Sequence, residues 1–377
     1  MCATGFCAFP DPNCDSQFRY GDHSGPSSGQ CVGAENPDID AMIDADETPT
    51  PDGAVCYGAS IVHPCFANVP TGNVTVPTTL NTTNSPMCAA LVGANANAWC
   101  VIAGGNVAVN GTVNVTGTRP LVLVATGTIN VQGILDVASH RGGTQGPASD
   151  AAGCNAGTAP TQTSGGAGGS FGGNGGGGAA TNGGTGGVAG GVLSVTALRG
   201  GCPGQAGSDA MAMNRGGDGG HGGGAVWLFA GTSISIGGNI NASGSSGVNA
   251  DAASSSGGGG GGAGGYVGLE SPSITVSGSV FANGGGGGEA SGNASTGLPG
   301  TDSPNATTAG LGGNGGSAFG SDGGNGSLAG TLNGQAGSAV CTTPCTTPPS
   351  GGGGGGGAGI IKTVPANTLG NVSPPST

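Results

Sequence analysis

Positive charge is scarce in this chain. Six of its 377 residues are basic (Arg19, Arg119, Arg141, Arg199, Arg215 and Lys362), and the formal net charge is −13. Nucleic acid and anionic membrane surfaces are held by clustered Lys and Arg, so neither is expected as a partner. No run approaches the roughly 18 consecutive apolar residues of a spanning helix, so no membrane span is expected. Aromatic residues make up only 3% and there are four histidines.

Glycine and cysteine are present in excess. Glycine accounts for 91 residues, roughly three times its ordinary share. A glycine-rich chain without period reads as linker or disorder. Twelve cysteines, an even number, argue for disulfide staples and an oxidising compartment outside the cell. If the chain is secreted, Met1 stands in place of a removed leader, and Cys2 has the position of a lipidated first residue.

Composition divides the chain into four parts. Residues 1–34 are a Cys-rich module with Cys2, Cys7, Cys14 and Cys31, whose pairing the spacing leaves open. Residues 35–54 form an acidic linker. Its Asp38, Asp40, Asp44, Asp46 and Glu47 do not match the EF-hand loop, which needs Gly at its sixth position and Glu at its twelfth, so a self-repelling spacer is expected there. Residues 55–105, with Cys56, Cys65, Cys88 and Cys100, read as a stapled cap, because the first layer of a stacked sheet must hide its apolar end. The remainder, 106–377, carries a repeat interrupted by Gly-rich insertions at 141–222, 244–264 and 284–357.

The repeat has one glycine with alternating apolar residues on either side. Ile129-x-Val131, Ile234-x-Ile236 and Ile274-x-Val276 precede Gly133, Gly238 and Gly278; Leu135-x-Val137, Ile240-x-Ala242 and Val280-x-Ala282 follow them. Gly111 and Gly370 fit the same frame. Gly111 and Gly133 are 22 residues apart, a length suited to one uninterrupted turn of stacked strands. The fold class expected is all-β: a right-handed parallel β-helix of about 22 residues per turn, handed by the rule for parallel crossovers. The glycine insertions would project from it.

Those insertions have a period of their own. From Gly166 to Gly190 every third residue is glycine, interrupted only at Thr181, and GGDGGHGGG (216–224) and GGGGGGAGG (257–265) continue the style. Period three belongs to the extended polyproline-II helix, which has no internal hydrogen bonds and packs closely only where side chains are missing. Ordered polyglycine-II tracts bonded to one another are therefore expected. Ordering them costs about 1–2 kcal/mol per residue, offset in part by crosslinks among Cys154, Cys202, Cys341 and Cys345.

CATGFCAFPDPNC, RYGD, RPLVLVATGTI, HRGG, RGGCPG, GHGGGAV, INASG and FANGGGGGE together resemble the secreted, lipoprotein-like, glycine-rich proteins of gliding predatory bacteria, over nearly the whole chain. That resemblance implies location and fold rather than an activity. The GGx tracts are similar to the polyglycine-II bundles of insect antifreeze proteins and phage tail-tip adhesins, and the repeat is similar to pectate-lyase-like β-helices.

Candidate chemistry is thin. Asp218 and His221 are three apart and share one edge of a period-three helix, which makes them weak candidates for a metal or for acid/base work. His140-Arg141 is a possible anion contact at a strand end, and Asp136, Glu270 and Lys362 are too few for pectate-lyase chemistry. Paired cysteines leave no thiol nucleophile. No catalytic constellation and no cofactor are expected. The reading is a structural or adhesive surface protein that associates with itself or with an extracellular glycan, with a glycan- or ice-binding module as alternative and a polysaccharide enzyme as a second alternative.

Overall fold

The computed structural model describes residues 2–3, 6–14, 18–21, 28, 30–31, 53–93, 97–181, 183–209, 216–251, 255–292, 295–315, 320–339 and 350–377. The chain divides into two units, 1–52 and 53–377. In the first, Cys2–Ala3, Phe6–Pro10 and Phe18–Tyr20 form a small antiparallel sheet in which Cys2 is opposite Cys7. Cys14 and Cys31 are bonded, and Arg19 Nε donates to Asp11 Oδ2 at 2.5 Å. The acidic residues Asp38, Asp40, Asp44, Asp46 and Glu47 lie outside the described residues.

The second unit is built on three parallel sheets, and the chain deals successive strands to them in rotation. The first sheet has Cys100–Gly104, Leu121–Ala125, Ala225–Ala230, Tyr266–Glu270 and Ile360–Val364. The second has Asn73–Thr75, Asn106–Val109, Thr128–Val131, Ser233–Ile236 and Ile274–Val276. The third has Thr79–Asn81, Thr112–Thr116, Ile134–Asp136, Asn239–Asn241, Ser279–Phe281 and Val372–Ser373. The segment read as a cap thus contributes the first strand of every sheet. Cys56–Cys65 and Cys88–Cys100 staple it, and Cys154–Cys202 closes a longer loop. Cys341 and Cys345 lie outside the described residues.

The core follows from side-chain alternation along each strand. In the third sheet Val113, Leu135, Ile240 and Val280 stack in register; in the second, Val107, Ile129, Ile234 and Ile274 do so. With Leu121, Leu123, Val226, Leu228, Val267 and Leu269 of the first sheet they make one apolar interior. Each Leu or Ile buried there is worth about 1.5–3 kcal/mol. The first sheet is buried on its other face too, where Val122, Val124, Trp227 and Tyr266 meet Val62, Phe66, Phe171 and Leu198. Burial on both faces explains why LVLVA and AVWLFA are unbroken apolar runs. Gly268 leaves room for the Trp227 ring, which a β-carbon would overlap.

The repeat glycines form a column. A β-carbon on Gly133 would overlap the Gly111 carbonyl, one on Gly238 the Gly133 carbonyl, and one on Gly278 the Gly238 carbonyl. Backbone approaches backbone at this corner from Gly111 through Gly278, and no side chain fits between. Gly370 differs, with open space around it: the last layer has strands in the first and third sheets and none in the second.

These observations correct the expected architecture. A right-handed parallel β-helix of about 22 residues per turn is not what the structure shows: it shows parallel sheets stacked side by side, with no closed barrel and no helix among the described residues. The step from one layer to the next varies. Leu80 pairs with Val115, Val113 with Leu135, Leu135 with Ile240, Ile240 with Val280 and Val280 with Val372. Only the second of these spans 22 residues. The long insertions bond to one another, as their period of three led one to expect.

Candidate functional site

The insertions come together because strands of the first and third sheets run straight into them. Gly217–Gly223, Gly257–Gly264 and Gly351–Gly357 each lead into a parallel strand of the first sheet, and residues 244–248 and 284–288 each leave a strand of the third. Once the sheets are in register, the tracts lie alongside one another.

Residues 257–264 sit at the centre. The amides of Gly257, Gly260 and Ala263 donate to Ser208, Gln205 and Cys202; those of Gly258, Gly261 and Gly264 donate to Gly351, Gly354 and Gly357; those of Gly259 and Gly262 donate to Val248 and Ser245. Their carbonyls accept from three further tracts: from Gly217, Gly220 and Gly223, from Gly166 and Gly169, and from Gly288 and Gly285. One extended tract is thus bonded to six neighbours, and the direction of bonding turns by one third at each residue.

This geometry accounts for the composition. β-Carbons on Gly257 and Gly260 would overlap the carbonyls of Ser164 and Ala167, those on Gly258 and Gly261 the carbonyls of Gly288 and Gly285, and those on Gly259 and Gly262 the carbonyls of Asp218 and His221. All three faces are closed along 257–262, and every residue there is glycine; the first alanine comes at Ala263. At the edge, β-carbons on Gly173 and Gly176 would overlap Leu332 and Gln335, and those on Gly175 and Gly178 would overlap Gly168 and Gly165. The third position, Asn174, is exposed. The GGx pattern marks a tract with two faces covered and one open.

Side chains that bear charge act here as clasps. His221 Nδ1 is 2.5 Å from Asp150 Oδ2, while Asp150 Oδ1 accepts from the Gly222 amide at 2.8 Å. Asp218 is exposed and its carbonyl accepts from Val248, so the structure pairs His221 with Asp150 and not with Asp218. His140 Nε2 is 3.0 Å from Asp136 Oδ2 and its Nδ1 is 3.5 Å from Asp302 Oδ2. These two carboxylates push His140 up to about 10. Burial pushes the Asp302 carboxyl up, yet hydrogen bonds from His140 and from the Ser246 and Arg141 amides hold its pKa below the usual carboxylate value. Asp150 and Asp302, distant in sequence from the histidines they hold, had no local signal.

Glu270 is nearly buried. It accepts from the Ala59 amide at 2.6 Å and from Trp227 Nε1 at 3.2 Å. Burial raises its pKa, against the pull of those two bonds. It ties the segment around Gly58 to the outer face of the first sheet. Asp136 belongs to the third sheet and Glu270 to the first, and Lys362 is in register with Gly268. No group of three or more His, Cys, Asp or Glu side chains among the described residues is placed to hold a metal ion.

Two grooves open on the array. One, of about 430 Å³, is walled by residues 174–178 and 186–191; the other, of about 220 Å³, lies beside the Cys154–Cys202 bond. Neither is lined by an acid or base, so neither offers proton transfer. No family model matches the chain, and no curated protein or solved structure matches it.

Proposed function

We propose that this is an extracellular structural or adhesive protein whose working part is the glycine-tract array, acting through surface and not through chemistry. The observation that carries the reading is the six-neighbour bonding of residues 257–264. It supports a rigid body faced with peptide groups and small side chains, able to lie flat against a like surface. Four disulfides among the described residues fit an oxidising location outside the cell. No helix among those residues is long and apolar enough to cross a membrane.

Microscopy and sedimentation of the purified protein test this. Filaments, layers or concentration-dependent association are expected; single particles at every concentration, without adhesion to cell-surface material, would sink it.

A second reading rests on the outward face of the second sheet. Asn73, Asn106, Thr128 and Ser233 form one ladder, and Thr75, Ala108, Asn130, Ser235 and Thr275 a second. Small, uncharged residues repeat there at the strand spacing of about 4.8 Å, which suits a regular hydroxylated ligand, a glycan or ice. Glycan-array binding or thermal hysteresis, abolished by Thr128→Tyr, is the outcome it requires.

A further inference from the structure

We propose that the groove between residues 174–178 and 186–191 is an unfilled position of the glycine array, and that it takes an extended glycine-rich tract from a second copy of this chain. The inference rests on the reading of the array as an associating body and names where the contact is made.

Three observations point to it. The first is glycine without an internal reason. Across the array a β-carbon would overlap a neighbouring carbonyl, but one on Gly177 would meet nothing closer than the Gly187 oxygen at 3.5 Å, and one on Gly191 only Asn155 Nδ2 at 4.0 Å. Neither has a positive φ. Both line the groove. The fold of a single chain does not require these positions to be bare, whereas a tract seated against them would.

The second observation is unspent hydrogen bonding. The amides of Gly177, Gly186 and Ala189 and the carbonyls of Gly175 and Gly178 have no partner among the described residues. The Gly175 and Gly178 carbonyls are three residues apart, as are the Gly186 and Ala189 amides. Three is also the interval at which 257–264 bonds to each of its neighbours. The first wall therefore offers acceptors, and the second donors, at the period of an extended glycine tract. At about 3.1 Å per residue the walls accommodate about six residues, some 19 Å.

The third is what the groove lacks. It has no charged side chain to hold an acidic or basic partner, and its surface is mainly peptide backbone, which gives a large apolar side chain nothing to fill. Each array tract lies against others of its own kind, and a second copy brings tracts of the same composition.

The test compares Gly177→Val and Gly191→Val with Gly330→Val, a control whose β-carbon also meets open space and which lies outside the groove. Sedimentation equilibrium over a wide concentration range reads association, and thermal melting reads the fold. The wild type and the control are expected to associate alike. The two groove variants are expected to associate at least about tenfold more weakly, with melting temperatures unchanged. Should a valine variant lose the native transition, Gly177→Ala and Gly191→Ala replace it under the same expectation. Association undiminished in both groove variants overturns the slot and leaves the assembly reading standing. A wild type that stays monomeric throughout overturns the slot together with the self-association it rests on, and leaves adhesion to be tested separately.

Discussion

His140 shows how single residues hold this molecule together. It is wedged between Asp136 and Asp302, and the Arg141 and Ser246 amides fix Asp302 in turn. Its folded pKa is raised to about 10, so the clasp's contribution is complete below the ordinary histidine value of about 6.5 and is lost as pH rises through about 10. Asp302 is held below its ordinary value, so its share is present above that value and is lost as pH falls through the lowered one. The imidazole is 40% exposed, and solvent screening limits the effect to on the order of 1 kcal/mol. Melting temperatures measured from about pH 6.5 to about pH 11 should fall more for the wild type than for His140→Asn; equal slopes would remove the clasp from the account.

Glu270 is a second such residue, facing inward. Replacing it with Leu leaves the Ala59 amide and Trp227 Nε1 without their acceptor. An abandoned buried donor costs about 1–3 kcal/mol. Glu270→Leu should therefore lower stability by about 2–4 kcal/mol in denaturant titration, and Trp227→Phe, which removes one of the two donors, should cost less of this kind. Neither clasp nor buried carboxylate was legible in the sequence. Asp302 follows His140 by more than a hundred and fifty residues, and nothing local marks either as the other's partner.

At the scale of the element, glycine content reports how many faces of a tract are covered. Gly260→Ala would drive a β-carbon into the Ala167 carbonyl, whereas Gly330→Ala points into open space. The first should destabilise by at least about 1–3 kcal/mol, the usual cost of overpacking, and the second should be close to neutral; similar melting curves for the two would contradict the packing described above. The Cys154–Cys202 bond encloses 48 residues of sequence separation. Replacing both cysteines with Ala should cost about 4 kcal/mol on the chain-entropy account. Much of this scale was legible. The aligned repeats anticipated that Val113, Leu135, Ile240 and Val280 would share one column, because alternation and a single glycine mark register wherever they recur.

Taken whole, the second unit has backbone outside its sheets that is as shielded as the strands themselves. Residues 257–264 belong to no strand, yet their amides are bonded throughout and they are almost wholly shielded from solvent. Amide hydrogen exchange should show them as slow as Leu121–Ala125, with Gly186 and Ala189 far faster; exchange of the central tract at loop rates would refute the array.

The sequence by itself determined the apolar columns, the corner glycines, the threefold period of the insertions and the number of cysteines, since each is written in spacing along the chain. Tertiary structure alone decided which tracts meet, that strands settle in side-by-side sheets, and that His221 finds Asp150 and not Asp218. The physical reason is that a glycine tract carries no side chains by which to choose a neighbour. Its peptide groups bond equally well to any other such tract, so the choice passes to the strands at its ends, whose register is set by a core assembled from the whole unit.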